Sequence, residues 1–198
     1  MGYHRAGFDE IVGIDIEPMP RYPFTFIQGD ALNPSVDLSD FDLIHASPPC
    51  QAYSVQTNMH DKSQYPDLIP TTRDLLKSAG VPYIVENVPG APLINHVRIC
   101  GSGLGMRRIR RHRWFEASFP IVGVPCDHSI NVDILSVAGH GEGGSHRGGT
   151  KRGSYWGVEA KQAAMGIDWM NRDELSQAIP PRFTLHLALQ FLDQRAAA

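Results

Sequence analysis

Two short motifs place reactive side chains directly after apolar, strand-like segments of the chain. Cys50 follows Pro-Pro and the segment 41–47 (FDLIHAS), and Glu86 lies near the end of the segment 82–88 (PYIVENV). A cysteine attacks as a thiolate, so it needs surroundings that lower its pKa. A carboxyl group buried at a strand end has a raised pKa and can act as an acid near neutral pH. The motifs therefore indicate a nucleophile and a proton donor, with a turn cysteine and a solvent-facing glutamate as the plainer alternative.

The chain around these motifs alternates between strand-like and helix-like segments. Largely apolar runs bounded by turn residues predict strands over residues 10–16, 24–28, 41–47 and 82–88. Helical patterns with start and stop signals predict helices over residues 71–79, 158–165, 172–178 and 182–195. This alternation is typical of an α/β fold with a mostly parallel sheet. Ligands of such sheets bind beyond the carboxyl ends of the strands, where this chain has Asp15, Asp30, Cys50 and Glu86.

Length and composition indicate one cytosolic domain. The chain has 198 residues, of which 42% are hydrophobic, and no apolar run approaches the roughly 18 residues that span a bilayer. The first residues are too polar for a signal peptide. An odd number of widely spaced cysteines favours reduced thiols over a disulfide framework, and these cysteines are Cys50, Cys100 and Cys126.

Charge is unevenly distributed along a mildly acidic chain with a formal net charge of −3. No acidic residue lies between His96 and Phe115, whereas this interval contains Arg98, Arg107, Arg108, Arg110, Arg111 and Arg113. Such a basic stripe can bind a phosphate backbone. The alternative is a solvated charged face.

Several segments of the chain resemble the motifs of the DNA (cytosine-5) methyltransferases. Residues 47–54 (SPPCQAYS) resemble the catalytic motif of this family, and residues 86–88 (ENV) are similar to its Glu-Asn-Val motif. Residues 111–113 (RHR) resemble its Arg-x-Arg motif, and residues 29–32 (GDAL) match the motif that follows its third strand. Residues 175–183 (LSQAIPPRF) resemble the closing motif of small, phage-type members. Together these similarities cover most of the chain.

The resemblance implies a Rossmann-like, S-adenosylmethionine-dependent core that methylates carbon 5 of cytosine in double-stranded DNA. Cys50 would attack carbon 6 of the ring, and Glu86 would hold N3 and the exocyclic amine. Arg111 and Arg113 would position the pyrimidine and a nearby phosphate. The target cytosine must leave the helix to reach such a site, so base flipping is expected.

The resemblance also implies which residues bind the cofactor. Asp15 would accept the ribose hydroxyls and Ile16 would pack on the adenine, while Asp30 would accept the adenine amine with Ala31 beside it. From the residues alone, each aspartate is better explained as a cap or turn residue.

DNA contacts are expected from two loops. Gln51 and Ser54 belong to a loop that would close over the DNA. Arg147, Lys151 and Arg152 lie in a glycine-rich segment and could contact phosphates or guanine edges. The alternative for this segment is a disordered surface loop.

The resemblance divides the chain into three parts. Residues 1–117 would form the catalytic core, 118–157 a reduced target-recognition region, and 158–198 the helices that complete the core. We expect a monomer without membrane contact, acting in phage self-protection or in a restriction-modification pair in a bacterial or phage-infected cell.

One family motif is missing from the sequence. Members begin with a strand and a Phe-x-Gly-x-Gly-Gly turn around the methionine part of the cofactor, whereas residues 1–8 (MGYHRAGF) resemble the helix that follows this turn. We therefore expect the first strand to lie upstream of Met1, and S-adenosylmethionine to bind poorly to the chain as given. Two alternative functions remain open. One is methylation of RNA by the same chemistry, and the other is DNA binding by a non-catalytic remnant of the family.

Other patterns are weaker. A cysteine hydrolase would need His45 or His60 as the base for Cys50. Residues 101–105 (GSGLG) lack nucleotide-loop spacing and predict a turn. No metal is predicted, because zinc-site spacing is absent among Cys126, His128, His140 and His146.

Overall fold

The computed structural model describes residues 1–54, 64–129, 133–137 and 156–197, and within these ranges the chain is a mixed α/β protein. The strands are β1 (Val12–Asp15), β2 (Thr25–Gln28), β3 (Ile44–Ala46), β4 (Tyr83–Asn87), β5 (Val97–Cys100) and β6 (His112–Ala117). The α-helices are α1 (Gly2–Ala6), α2 (Ile69–Ala79), α3 (Val158–Met165), α4 (Arg172–Gln177) and α5 (Pro181–Ala197). Among these helices, none combines the length and the hydropathy that crossing a bilayer requires.

The described strands form two sheets. Strands β1 and β2 pair in parallel, and the larger sheet has the order β3-β4-β6-β5. Strands β3 and β4 are parallel, but β6 is antiparallel to both of its neighbours. Two of the three pairings in the larger sheet are therefore antiparallel, so the prediction of a mostly parallel sheet was wrong for this sheet.

Strand β4 is the centre of the larger sheet, and each of its five residues is buried. Its alternating side chains enter two hydrophobic clusters, one on each face of the sheet. Ile84 packs into the cluster that contains Phe115 and Phe183 from β6 and α5. Val85 packs into the opposite cluster with Ile69 of α2. Burial on both faces explains why this segment reads as a continuous apolar run in the sequence.

Helix α1 is held against both α5 and β3. A Cβ atom on Gly2 would lie 2.0 Å from Oγ1 of Thr184, so only glycine permits this approach to α5. The hydroxyl of Tyr3 lies 2.5 Å from Nδ1 of His45 on β3. These contacts hold α1 against α5 and β3.

The predicted helices and the first four strands are present, with ends that differ from prediction by up to three residues. Strands β5 and β6 were not predicted. The structure gives the reason: Arg98, Arg111 and Arg113 lie on or beside these strands, and their density made the interval read as a charged surface.

Candidate active site

The ends of β3 and β4 lie side by side, and this register brings the two reactive motifs together. Ala46 pairs with Val85 in the parallel ladder, so the residues after β3 run beside Glu86 and Asn87. The side-chain amide of Asn87 donates a hydrogen bond of 2.9 Å to the carbonyl of Pro48. Asn87 is 1% exposed, so this buried bond ties the Pro-Pro-Cys loop to the end of β4.

Cys50 begins a tight turn beyond β3. Its carbonyl accepts hydrogen bonds from the backbone N–H groups of Tyr53, at 3.0 Å, and Ser54, at 2.8 Å. The thiol is half-buried and free of any disulfide. The turn carries Gln51 at the surface and Ser54 in a partly buried position. The sulfur is therefore placed at the strand end by its own backbone, as the motif predicted.

Glu86 is a buried carboxyl group with a cation beside it. Arg113 Nε lies 2.9 Å from Glu86 Oε1, and the glutamate side chain is 7% exposed. This contact is an ion pair without a hydrogen bond, since Oε1 of Glu86 has no hydrogen-bond partner among the described residues. Burial raises the pKa of Glu86, and this effect outweighs the lowering by Arg113, by a hydrogen bond to Ser47 and by Arg111. Glu86 thus has an oxygen without a hydrogen bond from the described residues and an increased tendency to hold a proton.

Arg111 is anchored by the closing motif of the chain. Its Nη1 donates to the carbonyl of Leu175, at 3.4 Å, and its Nη2 donates to the carbonyl of Ser176, at 2.5 Å. Burial, and then the neighbouring positive charge of Arg113, lower the pKa of Arg111 to about 9. Glu86 and Cys50 act in the opposite direction, as close acidic groups should.

These interactions define one group of side chains, which we call the Cys50–Glu86 cluster: Cys50, Glu86, Arg111 and Arg113. It contains a sulfur nucleophile, a carboxyl group whose pKa is raised by burial, and two guanidinium groups. Such a set can add sulfur to an electron-poor ring while a proton is delivered to the same ring.

The predicted cofactor residues lie at the ends of the smaller sheet. Asp15 is the last residue of β1 and Asp30 lies just beyond β2, and the N–H of Gly29 donates to the carbonyl of Asp15 at 2.9 Å. Each carboxylate accepts one backbone N–H, from Glu17 and Leu32 respectively, at 2.9 Å. Both aspartates therefore form turns, as the plainer interpretation held, and each keeps a second oxygen without a hydrogen bond from the described residues.

The apolar neighbours of these aspartates are open to solvent. Ile16 is 65% exposed, and Ala31 is exposed as well. A large exposed isoleucine beside two carboxylates forms a surface that an aromatic ring bearing amine and hydroxyl groups could cover.

The basic stripe does not form one face. Arg111 and Arg113 point into the Cys50–Glu86 cluster, whereas Arg108 stacks on Trp156 at 4.1 Å and Arg110 donates to the carbonyl of His128. Four arginines surround a separate pocket of about 400 Å³, namely Arg5, Arg107, Arg108 and Arg182. The predicted DNA contacts Arg147, Lys151 and Arg152 lie outside the described residues.

His45 does not serve as a base for Cys50. Its ring contacts Tyr3 and Phe115, on the face of β3 that points away from the cluster of Ile69 and Val85. Burial lowers the pKa of His45 to about 4. His60 lies outside the described residues. The segment 101–105 forms the predicted turn, a short 3₁₀ helix that ends at Gly105 with φ 74°.

Sequence reasoning missed a buried ion pair behind the cluster. Arg73 of α2 donates to both carboxylate oxygens of Glu116 at 2.7 Å, and both residues are less than 10% exposed. Glu116 also accepts the N–H of Ile94. The sequence feature that could have indicated this ion pair is a single glutamate, Glu116, beside Phe115 in the apolar end of β6.

Comparison with known proteins adds limited information. No family model matches the chain, and no curated protein matches it. Among solved structures, the chain is similar to a mutant of DNMT2 from Spodoptera frugiperda, with a TM-score of 0.43 and 17% identity over 69% of this chain. The chain spans about half of that structure, 55% of its length. We therefore base the function on the side chains described above.

Proposed function

We propose that this protein is a DNA (cytosine-5) methyltransferase with a Rossmann-like core. The observation that supports the proposal most is the Cys50–Glu86 cluster, in which the loop that carries Cys50 is hydrogen-bonded to the end of the neighbouring parallel strand that carries the buried Glu86. Residues 1–117 would form the core, 118–157 the reduced target-recognition region and 158–198 the closing helices, in a monomer that binds double-stranded DNA.

The chemistry of cytosine explains why both groups are needed. Carbon 5 of the ring is a poor nucleophile. When the Cys50 sulfur bonds to carbon 6 and N3 takes a proton, carbon 5 becomes an enamine carbon that can attack an electrophile. S-adenosylmethionine supplies the methyl group at this point. Loss of the proton from carbon 5, with departure of the sulfur from carbon 6, restores the ring and frees Cys50.

Glu86 is suited to hold N3 of the ring. Burial raises its pKa and so favours a proton on the carboxyl group, and its Oε1 can accept the exocyclic amine of cytosine. Arg113 fixes the carboxyl group from the side, and Arg111 is held by Ser176 so that it does not need to reorganise when the ring enters.

The end of the smaller sheet fits the adenosine part of S-adenosylmethionine. Adenosine presents hydroxyl and amine donors, and the free carboxylate oxygens of Asp15 and Asp30 are acceptors. Ile16 offers apolar surface for the adenine, and Ala31 is small enough to lie beside it. These four residues would hold the cofactor by its nucleoside.

DNA would approach the open side of Cys50. A duplex buries the target atoms of cytosine, so the base must be flipped into the cluster. We propose that Gln51 and Ser54 contact the opened duplex, and that Arg147, Lys151 and Arg152 bind it from the recognition region.

A methyl-transfer assay tests this proposal. With saturating labelled S-adenosylmethionine, we expect label in 5-methylcytosine of duplex DNA and none in transfer RNA, and we expect Cys50→Ser to abolish it. Label in transfer RNA alone would contradict the DNA substrate. Binding of DNA without any label would show a non-catalytic remnant, and would contradict the proposal.

A further inference from the structure

Four potential metal ligands converge where the β5–β6 pair meets the following loop. Cys100 ends β5 and pairs in register with His112, which begins β6. Cys126 and His128 lie on the loop that passes beside them. Among the described residues, the ligand atoms of these four side chains all lie within 4.8 Å of one another.

The distances match a tetrahedral site. Cys100 Sγ lies 3.4 Å from His128 Nε2, and His112 Nε2 lies 3.2 Å from Cys126 Sγ. Zinc bonds of about 2.3 Å to sulfur and about 2.0–2.1 Å to nitrogen give a tetrahedron with edges of about 3.4–3.8 Å. Small side-chain adjustments therefore suffice to bring all four atoms around one ion.

The backbone holds the two halves of this group together. The N–H of Val124 donates to the carbonyl of Arg98, which fastens the loop to β5. A Cβ atom on Gly103 would lie 2.2 Å from the carbonyl of Pro125, so the turn after β5 packs directly on this loop. The ligands are therefore positioned by main-chain contacts that do not depend on an ion.

An outer contact supports the buried sulfur. The hydroxyl of Ser102 lies 3.1 Å from Cys100 Sγ and accepts the N–H of Asp127 at 3.1 Å. Its proton is thus available to a thiolate at Cys100. Hydrogen bonds of this kind orient metal ligands and strengthen binding.

We propose that Cys100, His112, Cys126 and His128 bind a structural zinc ion. Two thiolates and two neutral imidazoles fill all four positions of Zn²⁺, which leaves none for a substrate and indicates a structural role. This proposal replaces the prediction of no metal. The site could not be predicted from the sequence, because its ligands come from two strands and a loop and their spacings match no zinc-finger pattern.

The site would stabilise the start of β6, where the two site arginines lie on either side of His112. His112 lies between Arg111 and Arg113, so a metal bond to this residue would fix the start of β6. The zinc proposal does not depend on the proposed methyltransferase function, because metal content can be measured without any substrate.

Metal analysis of the purified full chain tests the proposal. We expect about one zinc per chain under reducing conditions, and thiolate-to-metal charge-transfer absorption when Co²⁺ replaces zinc. Cys126 and His128 lie at the accessible side of the site, and we expect Cys126→Ser and His128→Asn to weaken zinc binding at least about 100-fold. Ser102→Ala removes only an outer contact and should weaken zinc binding about 10–100-fold. Cys50→Ser and His186→Asn are matched controls outside the site and should bind zinc as the wild type does.

Two results would overturn the proposal. One is a folded wild-type chain that binds neither zinc nor cobalt under reducing conditions. The other is Cys126→Ser and His128→Asn variants, folded by circular dichroism, that bind zinc as tightly as the wild type. A chelator should lower the melting temperature of the wild type and leave that of Cys126→Ser unchanged.

Discussion

Glu86 carries two properties that ordinary surface glutamates lack, namely a raised pKa and an oxygen without a hydrogen bond from the described residues. Both are found at the end of a fully buried strand, where burial raises the pKa more than the neighbouring charge of Arg113 lowers it. The sequence indicated this glutamate as an acid, because a carboxyl group after an apolar run needs a partner. It did not identify Ser47, whose hydrogen bond depends on the register between β3 and β4.

Replacing Glu86 with glutamine tests its role as a proton donor. Glu86→Gln keeps the shape and removes the acid, so we expect the rate of methyl transfer to fall about 10²–10⁴-fold. Glu17→Gln, at an exposed glutamate beyond β1, is the matched control. An unchanged rate for Glu86→Gln would exclude Glu86 as the acid.

The same variant tests the pKa of Glu86 through stability. The folded pKa lies above the ordinary value of 4.5, so the folded chain holds a proton that the unfolded chain loses. The stabilisation from this proton is complete below pH 4.5 and disappears as the pH rises through the folded pKa. Urea unfolding at several pH values should show the wild type losing stability relative to Glu86→Gln above pH 4.5. Parallel pH profiles would contradict the shift.

Asn87 is a positioning residue for Cys50 rather than a group that touches the substrate. Asn87→Asp keeps the oxygen that accepts the N–H of Val88 and loses the amide that donates to Pro48. We expect kcat to fall with little change in KM for DNA, and the free energy of unfolding to fall by about 1–3 kcal/mol. Asn33→Asp, at an exposed position, is the control. An unchanged kcat for Asn87→Asp would show that the loop does not need this bond.

At the scale of elements, the sequence predicted segments whose apolar residues run continuously, and missed those whose apolar residues alternate with arginine. Strand β4 is buried on both faces and was therefore visible. Strand β6 mixes charged residues such as Arg113 with aromatic ones such as Trp114 and Phe115, so it contains no continuous apolar run. Its antiparallel pairing depends on residues far apart in the chain. The convergence of Cys100 with Cys126 could not be predicted for the same reason, because it depends on the pairing of β5 with β6 and on the hydrogen bond from Val124 to Arg98 that holds the following loop against β5.

The buried pair between α2 and β6 provides a test at this scale. Arg73→Met leaves Glu116 as an uncompensated buried charge and should cost about 3–5 kcal/mol of unfolding free energy. The double variant Arg73→Met/Glu116→Gln removes that charge and keeps an acceptor for the N–H of Ile94. We expect the double variant to be more stable than Arg73→Met in urea unfolding. The reverse order would show that the charge of Glu116 is not the cause.

At the scale of the whole molecule, two sheets divide the proposed functions. The larger sheet carries the Cys50–Glu86 cluster and the proposed zinc ligands, and the smaller sheet carries Asp15 and Asp30. The described residues show no strand pairing between β1 and β3. The proposed addition of Cys50 to cytosine can be tested separately from cofactor binding, because this step uses no atom of S-adenosylmethionine.

Hydrogen exchange at carbon 5 of cytosine is the most direct measurement of this chemistry. Sulfur addition to carbon 6 with protonation of carbon 5, followed by reversal, replaces the carbon-5 hydrogen with one from solvent. With duplex DNA labelled by tritium at carbon 5, and without S-adenosylmethionine, we expect the wild type to release tritium. Cys50→Ser should release none, and Glu86→Gln should release it much more slowly. Tritium release that persists in Cys50→Ser, or a folded wild type that binds the duplex and releases none, would contradict an attack by Cys50 on the cytosine ring.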